Sequence, residues 1–211
     1  MSKRLLFFIF GFTLISTTLH AQFIRSYGIK VGGSLAKQVW DYSINSSLEP
    51  DNRFGLNIGG FVEFLDIPFL SVVAEADYTQ KGMKLNIPTT GPDSPDITGT
   101  TTLNNRIDYL SLFLLGKIRY NLVLFSPYLI AGPRADIELG RDIEKGFETT
   151  YKDFKKGNFG LTIGIGTELI KVLPLSLLAE FRYNYDLSNV YSNENVKVKN
   201  QSFDFLVGVF F

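Results

Sequence analysis

The sequence predicts an all-β chain, an eight-stranded antiparallel up-and-down barrel that follows a short leader. Three observations carry that expectation. Apolar and polar side chains alternate along segment after segment, the period of a strand and not of a helix. The segments run to roughly 10–14 residues, against about 5–6 for an average globular strand, which suits a closed barrel better than a sandwich. The connections between them are alternately short and long, which in an up-and-down barrel gathers every long loop at one end.

The leader comes first. In MSKRLLFFIFGFTLISTTLHAQF, Lys3 and Arg4 make a basic start, Leu5 to Ile15 an apolar run, and Ser16 to Ala21 a small, polar approach to a cut. This is the layout of an export signal, and the eleven apolar residues are too few to cross about 30 Å as a helix. Cleavage is expected after Ala21, with residues 1–21 as signal peptide and 22–211 as the barrel domain. Of the 21 basic residues, Lys3 and Arg4 would leave, so 19 would face 21 acidic ones. A balance near −2 gives no electrostatic case for nucleic acid. The only histidine, His20, would leave as well, and cysteine is absent; disulfide frameworks and thiolate metal sites are excluded.

The strands follow in order. The clearest is Asn158–Leu169, where Phe159, Leu161, Ile163, Ile165 and Leu169 share one face and Asn158, Gly160, Thr162, Gly164, Gly166 and Glu168 the other. Leu175–Leu187 repeats the pattern, and so does the closing segment NQSFDFLVGVFF (Asn200–Phe211). Weaker versions lie at Tyr27–Val39, Arg53–Leu65, Phe69–Gly82, Arg106–Tyr120 and Ser126–Leu139. Short connections fall at Asp66–Pro68, Asn121–Phe125 and Lys171–Pro174, and long polar ones near Trp40–Asn52, Lys84–Asn105, Gly140–Gly157 and Ser188–Asn200. The second long connection holds Pro88, Gly91, Pro92, Pro95 and Gly99, a composition that resists regular structure.

Alternation alone does not say which face is outside. A soluble lipocalin-like barrel is apolar within, whereas a membrane barrel is apolar without. The polar face here is rich in glycine and carries charges of both signs. Glu63, Glu75, Glu168 and Glu180 have candidate partners in Lys30, Lys117, Arg134 and Arg182. An eight-stranded barrel has room for little beyond its own side chains, so small residues beside paired charges read as a filled, structural lumen. Tyr27, Phe64, Tyr78, Phe159, Tyr183, Tyr185 and Phe211 recur near strand ends on the apolar face, as interfacial girdles require. The reading is therefore an outer-membrane barrel in contact with lipid. Its termini are expected in the periplasm, and Phe211 is read as the terminal aromatic presented to the barrel assembly machinery.

Several stretches, taken in order, carry a family resemblance: GIKVGGS (Gly28–Ser34), EADYTQKG (Glu75–Gly82), IDYLSLFLLGKIRY (Ile107–Tyr120), SPYLIAGP (Ser126–Pro133), GIGTE (Gly164–Glu168) and the closing FDFLVGVFF. The chain resembles the PorT-like outer-membrane β-barrel family of Bacteroidetes-type bacteria. The family usually shows a Tyr-Leu-Glu-Ile-Pro-like segment where this chain has YLSLF. The resemblance implies an outer-membrane barrel and a link to the export of surface proteins.

Catalysis is not expected. Without His20 no Ser-His-Asp triad and no histidine metal site can form, so neither metal nor cofactor is anticipated. Glu75 with Asp77, and Glu180 with Arg182, share an inward face and could form an acid/base pair or a proton path. Interior salt bridges are the simpler reading, because buried charges need partners whatever the function. DSPDITGT (Asp93–Thr100) is oxygen-rich but lacks the register of a calcium loop. RDIEKGFETTYKDFKK (Arg141–Lys156) could extend its flanking strands or offer a contact surface for lipopolysaccharide or an envelope protein. The function expected is a non-enzymatic envelope role, structural or accessory, with a partner among envelope or secretion proteins. Two alternatives stay open: a narrow pore for small solutes, and a soluble secreted barrel binding an apolar ligand.

Overall fold

The structure, a computed structural model, describes residues 23–43, 50–65, 67–90, 97–122, 124–146, 148–169 and 175–211. The leader expected over 1–21, and residues 93–96 of the oxygen-rich loop, lie outside them. Nine strands form one sheet: β1 (Ile24–Tyr42), β2 (Arg53–Phe64), β3 (Leu70–Thr90), β4 (Ile97–Arg119), β5 (Phe125–Asp142), β6 (Gly157–Leu169), β7 (Ser176–Asp186), β8 (Tyr191–Ser192) and β9 (Val196–Phe210). A single turn of helix, α1 (Glu148–Lys152), lies between β5 and β6. The two-residue β8 pairs only with the start of β9, so the barrel has eight staves, all antiparallel.

The sheet closes on itself. β9 pairs with β7 on one side and with β1 on the other, in register from Gly28↔Phe210 to Tyr42↔Val196. Closure is what allows strands to sit in hydrocarbon, where each unpaired amide or carbonyl costs several kcal/mol. Because the side-chain period is 2, one register fixes both faces at once. Ile29, Ile163, Ile165, Leu129 and Phe205 point outward and are exposed, while Lys30, Thr162, Arg134 and Asp204 are buried. The apolar face is therefore the outer one. This excludes the lipocalin arrangement and gives the molecule a lipid-facing belt.

Aromatic side chains rim that belt. Phe69, Tyr120, Tyr27 and Phe211 are exposed at the short-turn end, and Phe54, Phe159 and Tyr185 at the long-loop end. Such rings suit the two interfaces, where an apolar body meets wet surroundings.

One expectation fails. Over residues 84–90 and 97–105 the Lys84–Asn105 connection is no irregular loop: β3 and β4 continue as a paired hairpin from Met83↔Asn105 to Thr90↔Ile97. Pro88 does not break the strand, because its neighbourhood decides its effect. The β2–β3 ladder ends at Asn57↔Thr79, so Pro88 sits where β3 is nearly an edge strand and a missing N–H is tolerated. Threonines 100–102 on the facing strand favour the pleat. Similarly, β1 runs on to Tyr42 and β5 to Asp142. The hairpin begins at Gly82, whose φ of +141° is open to glycine alone; a Cβ there would stand 2.0 Å from the Asn105 carbonyl oxygen.

Candidate functional site

Among the described residues the buried charges gather in the lumen, which is built in layers. Along β3 the inward residues read Ser71, Val73, Glu75, Asp77, Thr79, Lys81, Met83 and Leu85; along β4 they read Arg119, Lys117, Leu115, Phe113, Ser111, Tyr109 and Ile107. Polar and apolar levels alternate from the short-turn end to the long-loop end.

At the short-turn level, Glu63 accepts from Lys117 Nζ (2.9 Å), Arg119 Nη1 (2.9 Å) and Ser71 Oγ (2.6 Å), and it also pairs with Arg25. Lys117 reaches across to Glu168 as well. Above it, Phe61, Val73, Phe113, Leu115, Tyr128, Ile130, Leu178 and Phe210 form an apolar layer across the lumen. The lumen expected from the sequence, small residues beside paired charges, did not include this layer. Leu115, Ile130 and Phe113 fall on the polar face by phase, which alternation in composition alone does not reveal.

The central level holds Lys30, Glu75, Asp77, Glu180 and Arg182. Arg182, fully buried, donates from Nη2 to Glu75 Oε2 at 2.7 Å, its Nη1 lies 2.7 Å from Glu75 Oε1 as an ion pair, and its Nε bonds Glu180. Lys30 Nζ lies 2.7 Å from Glu75 and 3.4 Å from Glu180, and the Tyr128 hydroxyl donates to Glu180 at 2.8 Å. Asp77 is 3.9 Å from Arg182, and neither of its oxygens has a hydrogen-bond partner. The cations also lie over rings of the apolar layer: Lys30 over Phe61 (4.6 Å), Arg182 over Phe113 (5.1 Å) and Lys117 over Tyr128 (4.3 Å), contacts that partly offset desolvation.

Arg134 does not join the four glutamates. It pairs with Asp186 and lies 3.3 Å from Asp136, which also binds Lys81 at 2.6 Å. The stagger of a barrel decides which levels meet, and Arg134 stands on the next level toward the loops. Arg25, Lys81, Arg119, Asp136 and Asp186 were not singled out from the sequence. The signal for Lys81 was available in the phase of Glu75 and Asp77, four residues further along the same face.

Space for these long side chains comes from β6. A Cβ on Gly160 would stand 2.7 Å from Arg134 Nη2, on Gly164 3.1 Å from Arg182 Cγ, and on Gly166 2.3 Å from the Tyr128 ring. The glycines on the polar face of that strand are the room the buried cations occupy.

The long-loop mouth is stoppered. Met83, Ile107, Tyr109, Val190, Val196 and Val198 line it, and Tyr151 and Phe154 from the α1 segment are seated among them. The Tyr151 hydroxyl donates to buried Gln38, Arg141 donates to the Tyr151 carbonyl, and the rings of Tyr151 and Phe154 stack at 4.3 Å. Thus the Arg141–Lys156 stretch only begins as strand and then folds inward as a plug. Burial pushes the Tyr151 phenol pKa up from its ordinary value. Among the described residues no three acidic or histidine side chains converge as a metal site.

An outward apolar belt, two aromatic rims and a filled charged lumen make a transmembrane barrel, and comparison with known proteins agrees. Residues 21–192 match the family described as outer membrane protein beta-barrel domain. The chain belongs to that family. No curated protein matches it. Among solved structures, this outer-membrane barrel is similar in fold to the outer membrane protein OprG from Pseudomonas aeruginosa, at 12% identity over 88% of this chain and 95% of that one, with a TM-score of 0.50. Neisserial surface protein A aligns at 18% identity over 87% and 96% of the chains with a TM-score of 0.47. The outer membrane protease OmpT from Escherichia coli aligns at 11% over 92% and 98%, also at 0.47. These likenesses concern fold alone.

Proposed function

We propose that the protein is a non-catalytic, plugged barrel of the outer membrane, exported by a cleaved leader, with its short turns and termini in the periplasm and its long loops outside. Its role is structural or accessory, engaging another envelope component through the loop end. The PorT-like motifs support an accessory role beside protein export as the narrowest version. One observation carries the reading: apolar layers cross the lumen at two levels, and between them Lys30 and Arg182 are taken up by Glu75 and Glu180. A lumen arranged in this way stiffens the barrel and leaves no wetted path. Purified protein reconstituted in planar bilayers should show no steady conductance. Stepwise, ion-selective currents would instead support the pore reading.

A further inference from the structure

Just above the lipid-facing belt, the seam between β1 and β9 turns abruptly basic. The last apolar outward row there is Leu35 on β1 with Phe203 on β9. In the next rows Lys37 stands opposite Gln201, Val39 opposite Lys199, and Asp41 opposite Lys197. Lys37 points outward because its neighbours Ala36 and Gln38 are buried. Diagonal neighbours across a ladder lie about 7–8 Å apart, so the stems of Lys37 and Lys199 can converge on one group.

The surroundings make this a recess. Lys199 Nζ lies 5.3 Å from the Tyr185 ring, and the Tyr183 hydroxyl donates to Gln201 at 3.1 Å. Val39, Asp41, Tyr185, Leu187, Lys197 and Lys199 line a hollow of about 540 Å³. Asp41 contributes one carboxylate, yet among the described residues none of the three lysines forms an ion pair. Arg106, an outward cation elsewhere at this end, pairs with Asp108 (3.4 Å) and Asp142 (3.8 Å), whereas these three lysines stand together on one ladder. Three unpaired ammonium groups beside tyrosines, at the height where lipid headgroups begin, are complementary to a phosphate held at that height.

We propose that this seam binds the anionic, phosphate-bearing headgroup of a membrane lipid, with Lys37 and Lys199 on the phosphate, Lys197 adding charge from above, and the lipid chains lying down the Leu35–Phe203 wall. The proposal rests on the membrane reading above. It specifies one lipid chemistry and one place on the belt.

The test uses the full chain folded into vesicles of pure phosphatidylcholine or of phosphatidylcholine with phosphatidylglycerol. Folding is read by a heat-modifiable gel band and bound lipid by native mass spectrometry after mild detergent extraction. Retained phosphatidylglycerol is expected to exceed phosphatidylcholine and to fall at least about tenfold in the K37Q/K197Q/K199Q variant. The charge-matched K152Q/K155Q/K156Q variant should retain it. Equal retention of both lipids, retention by the first variant, equal loss in the second, or displacement by millimolar inorganic phosphate would overturn the site. Failure to fold into either vesicle would instead sink the membrane reading itself.

Discussion

Tyr27 and Phe211 hold each other at the closing seam. The Phe211 amide donates to the Tyr27 carbonyl at 2.9 Å, the Tyr27 amide returns a bond to the Phe211 carbonyl at 3.2 Å, and the two rings stack 5.9 Å apart on the lipid-facing side. The first and last staves are thereby fastened at the short-turn end. There the sheet would otherwise present open backbone groups to the interface.

Replacing Phe211 by Ala keeps the backbone bonds and removes the ring pair, so the folded barrel should lose about 1 kcal/mol. Deleting Phe211 removes both bonds as well. It should lower the folded, heat-modifiable fraction recovered from vesicles well below that of F211A, while F211Y stays near the parent. Equal yields from all three would sink the role given to this contact in assembly.

Arg182 is the interior residue with most to lose. Arg182→Met leaves Glu75 and Glu180 to share Lys30, one carboxylate too many for a buried layer, and breaking a buried pair on one side costs roughly 3–5 kcal/mol. The double variant E75Q/R182M should be more stable than R182M alone, because one stranded charge is gone. Urea unfolding in lipid vesicles measures both.

Tyr151 gives the plug a pH limit. Its phenol is held above the ordinary value of 10.0 by burial, so from about pH 10 the folded state binds more protons there than the unfolded state. Stability from this group is complete below that pH and declines as pH rises beyond it. Trp40, whose ring lies 6.5 Å from Tyr151, is the only tryptophan and reports on the plug. Its emission should shift to the red above about pH 10 in the parent. In Tyr151→Phe the shift should move to higher pH.

Emptying the mouth should not make a channel. Y151A/F154A removes the two rings from the stopper but leaves the apolar layer around Phe61, Phe113 and Leu115 in place. Conductance in planar bilayers should stay at baseline. Steady currents from this variant would show that the mouth alone closes the lumen.

Gly82→Ala should cost about 1–3 kcal/mol, the usual range for backbone held in a sparsely populated region. It should also release the Met83–Thr90 arm of the hairpin from its partner. Hydrogen exchange of the residue 83–90 amides would report this. Protection unchanged from the parent would show that the backbone at Gly82 relaxes freely.

The sequence made the staves legible because lipid on one side and a packed lumen on the other impose period 2, as in Asn158–Leu169. It also marked the inward charges, since Lys30, Glu63, Glu75, Lys117, Glu168, Glu180 and Arg182 all fall on the buried phase. Who meets whom was not legible. Arg134 joins Asp136 and Asp186 because of the stagger between staves, a property of the closed sheet that no single strand encodes. The hairpin arm was hidden by Pro88 and Gly99, whose usual meaning is overridden once a facing strand satisfies the backbone. The inward apolar layer was missed because Phe113, Leu115 and Ile130 look like the lipid face in composition and differ from it only in parity.

The bare inner face of β6 ties the history of three strands together. Since Gly160, Gly164 and Gly166 are the hollows into which Arg134, Arg182 and Tyr128 fit, no one of these six positions can drift alone. A larger residue at 166 must arrive with a shorter one at 128, whereas at 160 and 164 a Cβ also meets the carbonyl oxygens of Tyr185 and Phe181 at 2.5 and 2.7 Å, which no side-chain exchange relieves. Related barrels should therefore exchange bulk between positions 128 and 166 as a matched pair and keep glycine at 160 and 164, while the outer positions of the same strand vary independently.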